Sequence, residues 1–440
     1  MSLPEPSGNL YKTTPPEYGY PMLKYFGFDP EYVNLNHGSY GSLPRPVAEV
    51  VNQLAVEAEA NPDRFHRFTY QPLLTESRAQ IAKLIGAKTD ECVLVHNASL
   101  GVNTVLRNIE WQEGDIIIDF NTTYGSVART AESISDTHPH PTVSHFTVLF
   151  PTTHAEILQN WKAHLRSLPK TRSNGKSRRR VAIIDGIVSN PGVLLPWEEM
   201  VKICREEGVL SVIDAAHCIG QSVNINLAES QPDFWVSNCH KWLFSKRGCA
   251  VLYISERSQH LIKTPIPTSH AYVSVGKREA NSLVQQFEWN GTIDFISWLT
   301  VPSALAFREW IGGEVKINAY CHDLALKGGK RLAEVMGTTV LDPEGDLTVN
   351  MVNVELPFPR NIEPTYEIDG KFKQKLLFDR NMYSAHFYHN GRWWTRCSAQ
   401  VWNQIEDFEK IGKAWIEVCQ ETLAELGLDK NVSRGHHLLV

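Results

Sequence analysis

The run Ser237-Asn238-Cys239-His240-Lys241-Trp242-Leu243 follows an apolar segment and precedes a glycine-containing turn. Desolvation disfavours the ammonium form of a lysine in such surroundings, and a lysine kept neutral is the nucleophile that Schiff-base chemistry requires. Taken alone, Lys241 is better explained by a side chain that lays its stem along apolar surface and keeps its charge in water. It is not alone. Asp214 closes the apolar segment Val209–Ile213, at the carboxyl edge of a sheet where α/β proteins bind ligands. A carboxylate there can pair with a pyridinium nitrogen and keep it protonated, which makes the ring an electron sink. A helix N-cap or a turn is the plainer use of an aspartate at such a place. His217 lies close by and either faces the same ligand or caps the turn. Asn97-Ala98-Ser99 opens a helix, and free amides plus the helix dipole make that junction an anion site. Gly291-Thr292 has the look of a second hydroxyl-bearing anion contact. Each of these signals is weak by itself, because Ser, Thr and Asn are ordinary capping residues.

The elements that must position these residues alternate between strand and helix. Helical patterns run from about Pro46 to Ala60, from about Leu73 to Ile85, from Leu100 to Ile109 and from Trp197 to Gly208. Cys92–Val95, Asp115–Asp119, Val181–Asp185, Val209–Asp214, Asp233–Ser237 and Gly248–Tyr253 read as short, almost continuously apolar strands. That pattern predicts a mostly parallel sheet buried on both faces and flanked by helices. After about residue 300, long helices and a few alternating strands such as Thr348 to Leu356 predict a smaller α+β domain. The expected division is an arm over 1–45 that joins the small domain, a large α/β domain over 46–300, and the small C-terminal domain over 301–440.

A chain of 440 residues suits two cores rather than one. Its 43 basic and 49 acidic residues leave a formal charge of −6, which argues against nucleic acid or another polyanion as a partner. The basic cluster Lys170 to Arg180 is diluted with Ser, Asn and Gly and reads as a solvated loop. The cysteines (Cys92, Cys204, Cys218, Cys239, Cys249, Cys321, Cys397 and Cys419) contain no C-x-x-C pair, so buried reduced thiols are expected rather than disulfides or a metal site. No signal-peptide pattern and no apolar stretch of transmembrane length is present, so a cytoplasmic location without membrane attachment is expected.

The combination is more specific than its parts. A strand-end aspartate, followed 27 residues later by a lysine that Ser-x-x-His precedes, resembles class V aminotransferases, within the fold-type I pyridoxal 5'-phosphate (PLP) enzymes. The resemblance extends over Asn34-Leu-Asn-His-Gly-Ser-Tyr-Gly41, Gly101 through Ile109, Arg247-Gly-Cys-Ala250, Gln259-His-Leu-Ile262 and Pro267-Thr-Ser-His270. It is strongest to the fungal, isopenicillin N epimerase-like branch, whose members include C–S lyases of ergothioneine biosynthesis and loline-pathway enzymes.

The resemblance implies PLP as cofactor, bound as a Schiff base on Lys241, which also moves the α-proton. It implies Asp214 at the ring nitrogen, His217 near the ring hydroxyl, and His240, Ala98 and Ser99 at the phosphate. Thr292 would reach the phosphate of a partner subunit, which implies a homodimer with shared sites. Asn190 is placed in the pocket, although Ser189-Asn190-Pro191-Gly192 shifts it from the family's usual asparagine. Tyr124 would be a general acid and Arg396 would grip the substrate carboxylate. Asn36 is assigned to the substrate side. His37 and Tyr70 either face the substrate or only pack, and Trp393 and Trp394 either stack on it or fill the small-domain core. The activity implied is Cα deprotonation of an amino acid followed by loss of a β-substituent, most simply C–S lysis of a cysteine sulfoxide conjugate. Carbon–carbon bond formation or cyclisation is the alternative, with epimerisation, desulfuration and a non-catalytic binding module further behind.

Overall fold

A computed structural model describes residues 10–173, 175–277 and 282–428. Twelve strands are present among them. In chain order they are β1 (Val33–Asn34), β2 (Cys92–Val95), β3 (Ile116–Phe120), β4 (Thr142–Phe146), β5 (Arg180–Asp185), β6 (Leu210–Asp214), β7 (Phe234–Ser237), β8 (Ala250–Ile254), β9 (Met351–Glu355), β10 (Met382–Tyr383), β11 (Ala385–His389) and β12 (Arg392–Ser398).

The central sheet has the order β2-β8-β7-β6-β5-β3-β4. Pairings from β7 through β4 are parallel, and β8 is antiparallel to both of its neighbours. β2 therefore runs the same way as β7, and six of the seven strands end at one edge. The apolar runs of β3 and β5 are buried at every residue because helices cover both faces. Val181, Ile183 and Val212 pack on the side of the helix Ala98–Asn108, while Ala182, Ile184 and Ile213 pack on the other.

The smaller sheet, β11-β12-β9, is antiparallel throughout. The long helices Gly313–Met336 and Ile405–Leu426 cover it. The alternation expected over Thr348 to Leu356 is not realised, since β9 is buried at all its residues. Val352 and Val354 face those helices while Met351 joins the core of the large sheet, so both faces are covered. The N-terminal arm belongs to this side of the molecule. β1 pairs with β10, and Met22 and Phe26 pack with Phe307 and Trp402.

The basic cluster is the solvated loop expected over most of its length, with Lys170, Thr171, Ser173 and Lys176 exposed, and it is tied down at its ends. Lys170 pairs with Glu207 at 2.8 Å and Arg172 with the buried Asp115 at 2.6 Å, while Arg180 is itself buried at the start of β5. Two buried carboxylates, Glu207 and Asp115, thus receive Lys170 and Arg172. All eight cysteines are buried and unpaired. Among the described residues no helix is long and apolar enough to cross a membrane.

Candidate active site

The carboxyl edge of the central sheet opens into a cavity of about 270 Å³. Turns after β2, β3, β5, β6 and β7 all contribute to it, which follows from their common direction.

Asp214 is the last residue of β6 and is almost wholly buried. The Ala216 amide donates to its Oδ1 at 3.1 Å, which anchors one oxygen. Burial raises the pKa of Asp214, opposed by that amide and by the charge of Lys241. Beyond β7 the chain turns sharply. The Lys241 amide donates to the Asn238 carbonyl at 3.3 Å. Ser237 ties this turn to the preceding one, since its hydroxyl donates to the Ala215 carbonyl and accepts from the Ile219 amide. The Ser-x-x-His-Lys pattern therefore has a mechanical reason: Ser237 joins the aspartate turn to the lysine turn.

Lys241 Nζ lies 3.1 Å from His217 Nε2, and the Trp242 indole N–H points at His217 Nδ1 from 3.2 Å. An indole only donates, so Nδ1 accepts and the neutral imidazole carries its proton on Nε2. That N–H in turn meets an amine lone pair, which favours unprotonated Lys241. Burial, reinforced by the positive charge of Arg396 and opposed by Asp214, lowers the Lys241 pKa to about 8. Burial also holds His217 well below its usual range and His240 down at about 4.

Another part of the cavity wall suits an anion. Asn97 caps the helix Ala98–Asn108, accepting from the Leu100 amide at 2.8 Å. The Ala98 amide donates to Asn238 Oδ1 at 2.9 Å, so although Ala98 lines the cavity its N–H is occupied, and Ser99 is the cap residue left to meet a phosphate. His240 bonds the Cys249 carbonyl through Nδ1 at 2.8 Å, which leaves Nε2 as its other polar atom.

The remaining wall of the cavity is built from distant segments. Arg396 on β12 is buried, and its Nη1 donates to the Ser189 carbonyl at 2.6 Å. Its Nη2 donates to Ser39 Oγ at 2.9 Å and Asn36 Oδ1 at 3.3 Å, while Nε has no partner among the described residues. Ser39, Tyr40 and Ser189 line the cavity. So does Tyr124, the N-cap of the helix Gly125–Ser135, which is 51 % exposed.

Lys241, Asp214, His217, His240, Ala98, Ser99 and Tyr124 thus share one cavity, with Arg396 and Asn36 behind its wall. Other candidates lie elsewhere. His37 is buried behind the lysine turn, edge-on to Trp242 at 5.2 Å, and serves as packing. Tyr70 donates to the Glu288 carbonyl at 2.9 Å and lines a separate, larger cavity with Trp289 and His270. Asn190 is exposed, and the chain reversal at Pro191 turns Ser189 into the cavity in its place. Thr292 is exposed and outside the cavity. Trp393 and Trp394 are buried with their indoles bonded to the Ile362 and His389 carbonyls, so they fill the core. The sequence reading passed over Asp185, Ser39, Tyr40 and Asn238. Asp185 had a visible signal, since Val181–Asp185 ends in an aspartate just as Val209–Asp214 does.

A phosphorylated pyridine aldehyde needs an anion site, a neutral amine and a carboxyl for its ring nitrogen. The cavity offers Ser99 and His240, Lys241, and Asp214 with Asp185 beside it, whose Oδ2 has no partner among the described residues, so the donor set fits PLP. Residues 41–363 match the family described as Aminotransferase class-V. The chain is 34% identical over 445 residues to the L-cysteine desulfhydrase-like protein lolT1 of Epichloe uncinata, covering 92% of this chain and 97% of that one. It is 34% identical over 408 residues to hercynylcysteine sulfoxide lyase of Schizosaccharomyces pombe, covering 91% and 98%. A cystine C–S lyase, C-DES, solved with its product cysteine persulfide, shares the fold at a TM-score of 0.72 and 16% identity, over 90% of this chain and 99% of that one. The protein belongs to the class V aminotransferase family, and its cofactor is pyridoxal 5'-phosphate.

Proposed function

We propose that this enzyme is a PLP-dependent C–S lyase that eliminates the β-sulfur substituent of a cysteine sulfoxide conjugate, with hercynylcysteine sulfoxide the first substrate to try. The observation that carries the reading is the half-exposed hydroxyl-bearing Tyr124 in the same cavity as the half-buried Lys241 and the buried Asp214.

Bound PLP supplies an electron sink for the pair left when an α-proton is removed. Lys241, whose amine burial makes easier to deprotonate, takes that proton in its neutral form, and His217 Nε2 orients its lone pair. Asp214 holds the ring nitrogen, and Ser99 and His240 hold the phosphate. Arg396 binds the substrate carboxylate, a task that planar guanidinium donors suit. Tyr124 gives its proton to the sulfenate oxygen as the Cβ–S bond breaks, because an unprotonated sulfenate is a poor leaving group. The carbon product hydrolyses to pyruvate and ammonia.

Persulfide transfer of the desulfurase kind is disfavoured by the cysteines. Such transfer needs an accessible thiolate, and every cysteine in the chain is buried. The names of the relatives, a sulfoxide lyase and a desulfhydrase-like protein, support C–S chemistry as the general class. Exposed Thr292, outside its own subunit's cavity, supports a homodimer in which it reaches the partner's phosphate. Mixing inactive Lys241→Ala and Thr292→Ala subunits tests this, since partial activity returns only if sites are shared.

Incubation with hercynylcysteine sulfoxide, followed by mass spectrometry and a pyruvate assay, tests the main reading. Pyruvate, ammonia and an imidazole-side product that keeps the sulfur, released as the sulfenic acid, are expected. No pyruvate, together with incorporation of an added aldehyde or imine partner, would replace the lyase reading with carbon–carbon bond formation.

A further inference from the structure

The sheet edge holds a second carboxyl to which the proposed mechanism gives no task. Asp185 ends β5, is the register partner of Asp214 on β6, and lines the same cavity. Neighbouring strands lie about 4.8 Å apart and in-register residues leave the same face, so the two carboxyls emerge side by side. Asp185 is 3% exposed, and its Oδ2 is buried with no hydrogen-bond partner among the described residues. Asp214, by contrast, has one oxygen fixed by an amide.

Two ionised carboxyls in such a place repel each other, and a single proton between them relieves the repulsion. The groups facing Asp185 make this acute. Asp214 stands on one neighbouring strand, Asp119 on the other, and the Cys218 thiol between the turns; the lysine and imidazole of Lys241 and His217 belong to the same cavity. Burial first, then the charges of Asp214 and Asp119, hold the Asp185 carboxyl well above the usual range.

We propose that Asp185 is a positioning residue for the cofactor, sharing a proton with Asp214 so that the two carboxyls meet the PLP ring nitrogen as one singly charged unit. The inference rests on the reading of Asp214 as the ring-nitrogen partner. A single negative charge matches a single pyridinium N–H, whereas two would leave one carboxylate buried without a counter-charge. Asp185→Asn keeps the shape but cannot share the proton in the same way.

The test compares wild type, Asp185→Asn, Asp214→Asn and the double variant, as apo-proteins titrated with PLP by fluorescence quenching and as holoenzymes titrated with pH in the visible band. Asp185→Asn should weaken PLP binding about tenfold and move the midpoint of the pH titration, yet add almost nothing in the Asp214→Asn background. Wild-type binding and pH behaviour in Asp185→Asn, or full additivity in the double variant, would overturn the inference while leaving the role of Asp214 intact. Unchanged binding in Asp214→Asn would remove the ring-nitrogen reading and the inference with it. Should the variants fail to fold, infrared difference spectra of the wild-type protein decide: a protonated-carboxyl band that responds to added PLP is expected, and its absence overturns the proposal.

Discussion

The two ends of the cavity are built differently. The lysine and aspartate end rests on β5, β6 and β7, which are buried in the central sheet except at Leu210, and Ser237 fastens the turns after β6 and β7 together. The substrate end is assembled from the segment around Ser39, the half-exposed Tyr124, the turn at Ser189, and Arg396 from the smaller sheet. The first end is a rigid frame for chemistry common to a family. The second depends on segments that can vary without disturbing the large core, which is where substrate choice can change while the cofactor stays.

Substitutions should separate the two ends. The largest effect is expected for Lys241→Ala, which removes the lysine amine that lines the cavity. Its visible cofactor absorption should vanish, and borohydride reduction followed by peptide mapping should no longer fix PLP to the peptide that carries residue 241. Trapping at the wild-type level would refute the assignment. Arg396→Ala strikes the other end. Loss of a buried charged partner costs about 2–5 kcal/mol, so KM should rise strongly while the absorption spectrum of bound cofactor survives; an unchanged KM excludes the role. Tyr124→Phe should cut pyruvate release by about a hundredfold or more yet spare exchange of the substrate α-proton with solvent. Equal losses in both would show that Tyr124 acts before the sulfur leaves.

The smallest effect concerns coupling between the ends. Because burial and then Arg396 lower the Lys241 pKa to about 8, capture of PLP by the apo-protein should accelerate as pH rises through about 8 and then level off. Arg396→Ala removes a positive charge that disfavours the ammonium, so its midpoint should move upward. Stopped-flow absorbance across a pH series measures both, and coincident midpoints would mean that the ends do not communicate electrically.

The frame was legible in the amino-acid sequence for a physical reason. A buried parallel strand has to be apolar along its whole length, so an aspartate at its end and a lysine in the next turn stand out locally. Strand ends shifted by a residue or two, as where β8 begins at Ala250 after the turn at Gly248 (φ 93°), because hydrogen bonding rather than hydrophobicity sets them. Side-chain fate in crowded regions was less legible. His37 and Trp394 are residue types that line sites as readily as cores, and only the packing around them assigned both to the interior.

By itself, then, the sequence determined the alternating strands and helices, the lysine in the turn downstream of a strand-end aspartate, and the anion-ready cap at Asn97-Ala98-Ser99. Tertiary structure alone decided that Asp185 stands beside Asp214, that Ser189 rather than Asn190 faces the cavity, and that Arg396 meets Asn36 and Ser39 across more than 350 residues of chain. Local pattern records how each segment satisfies its own backbone and burial. Strand order and the docking of the small sheet come from the packing of whole faces, and no short stretch of residues encodes which distant side chain will arrive opposite it.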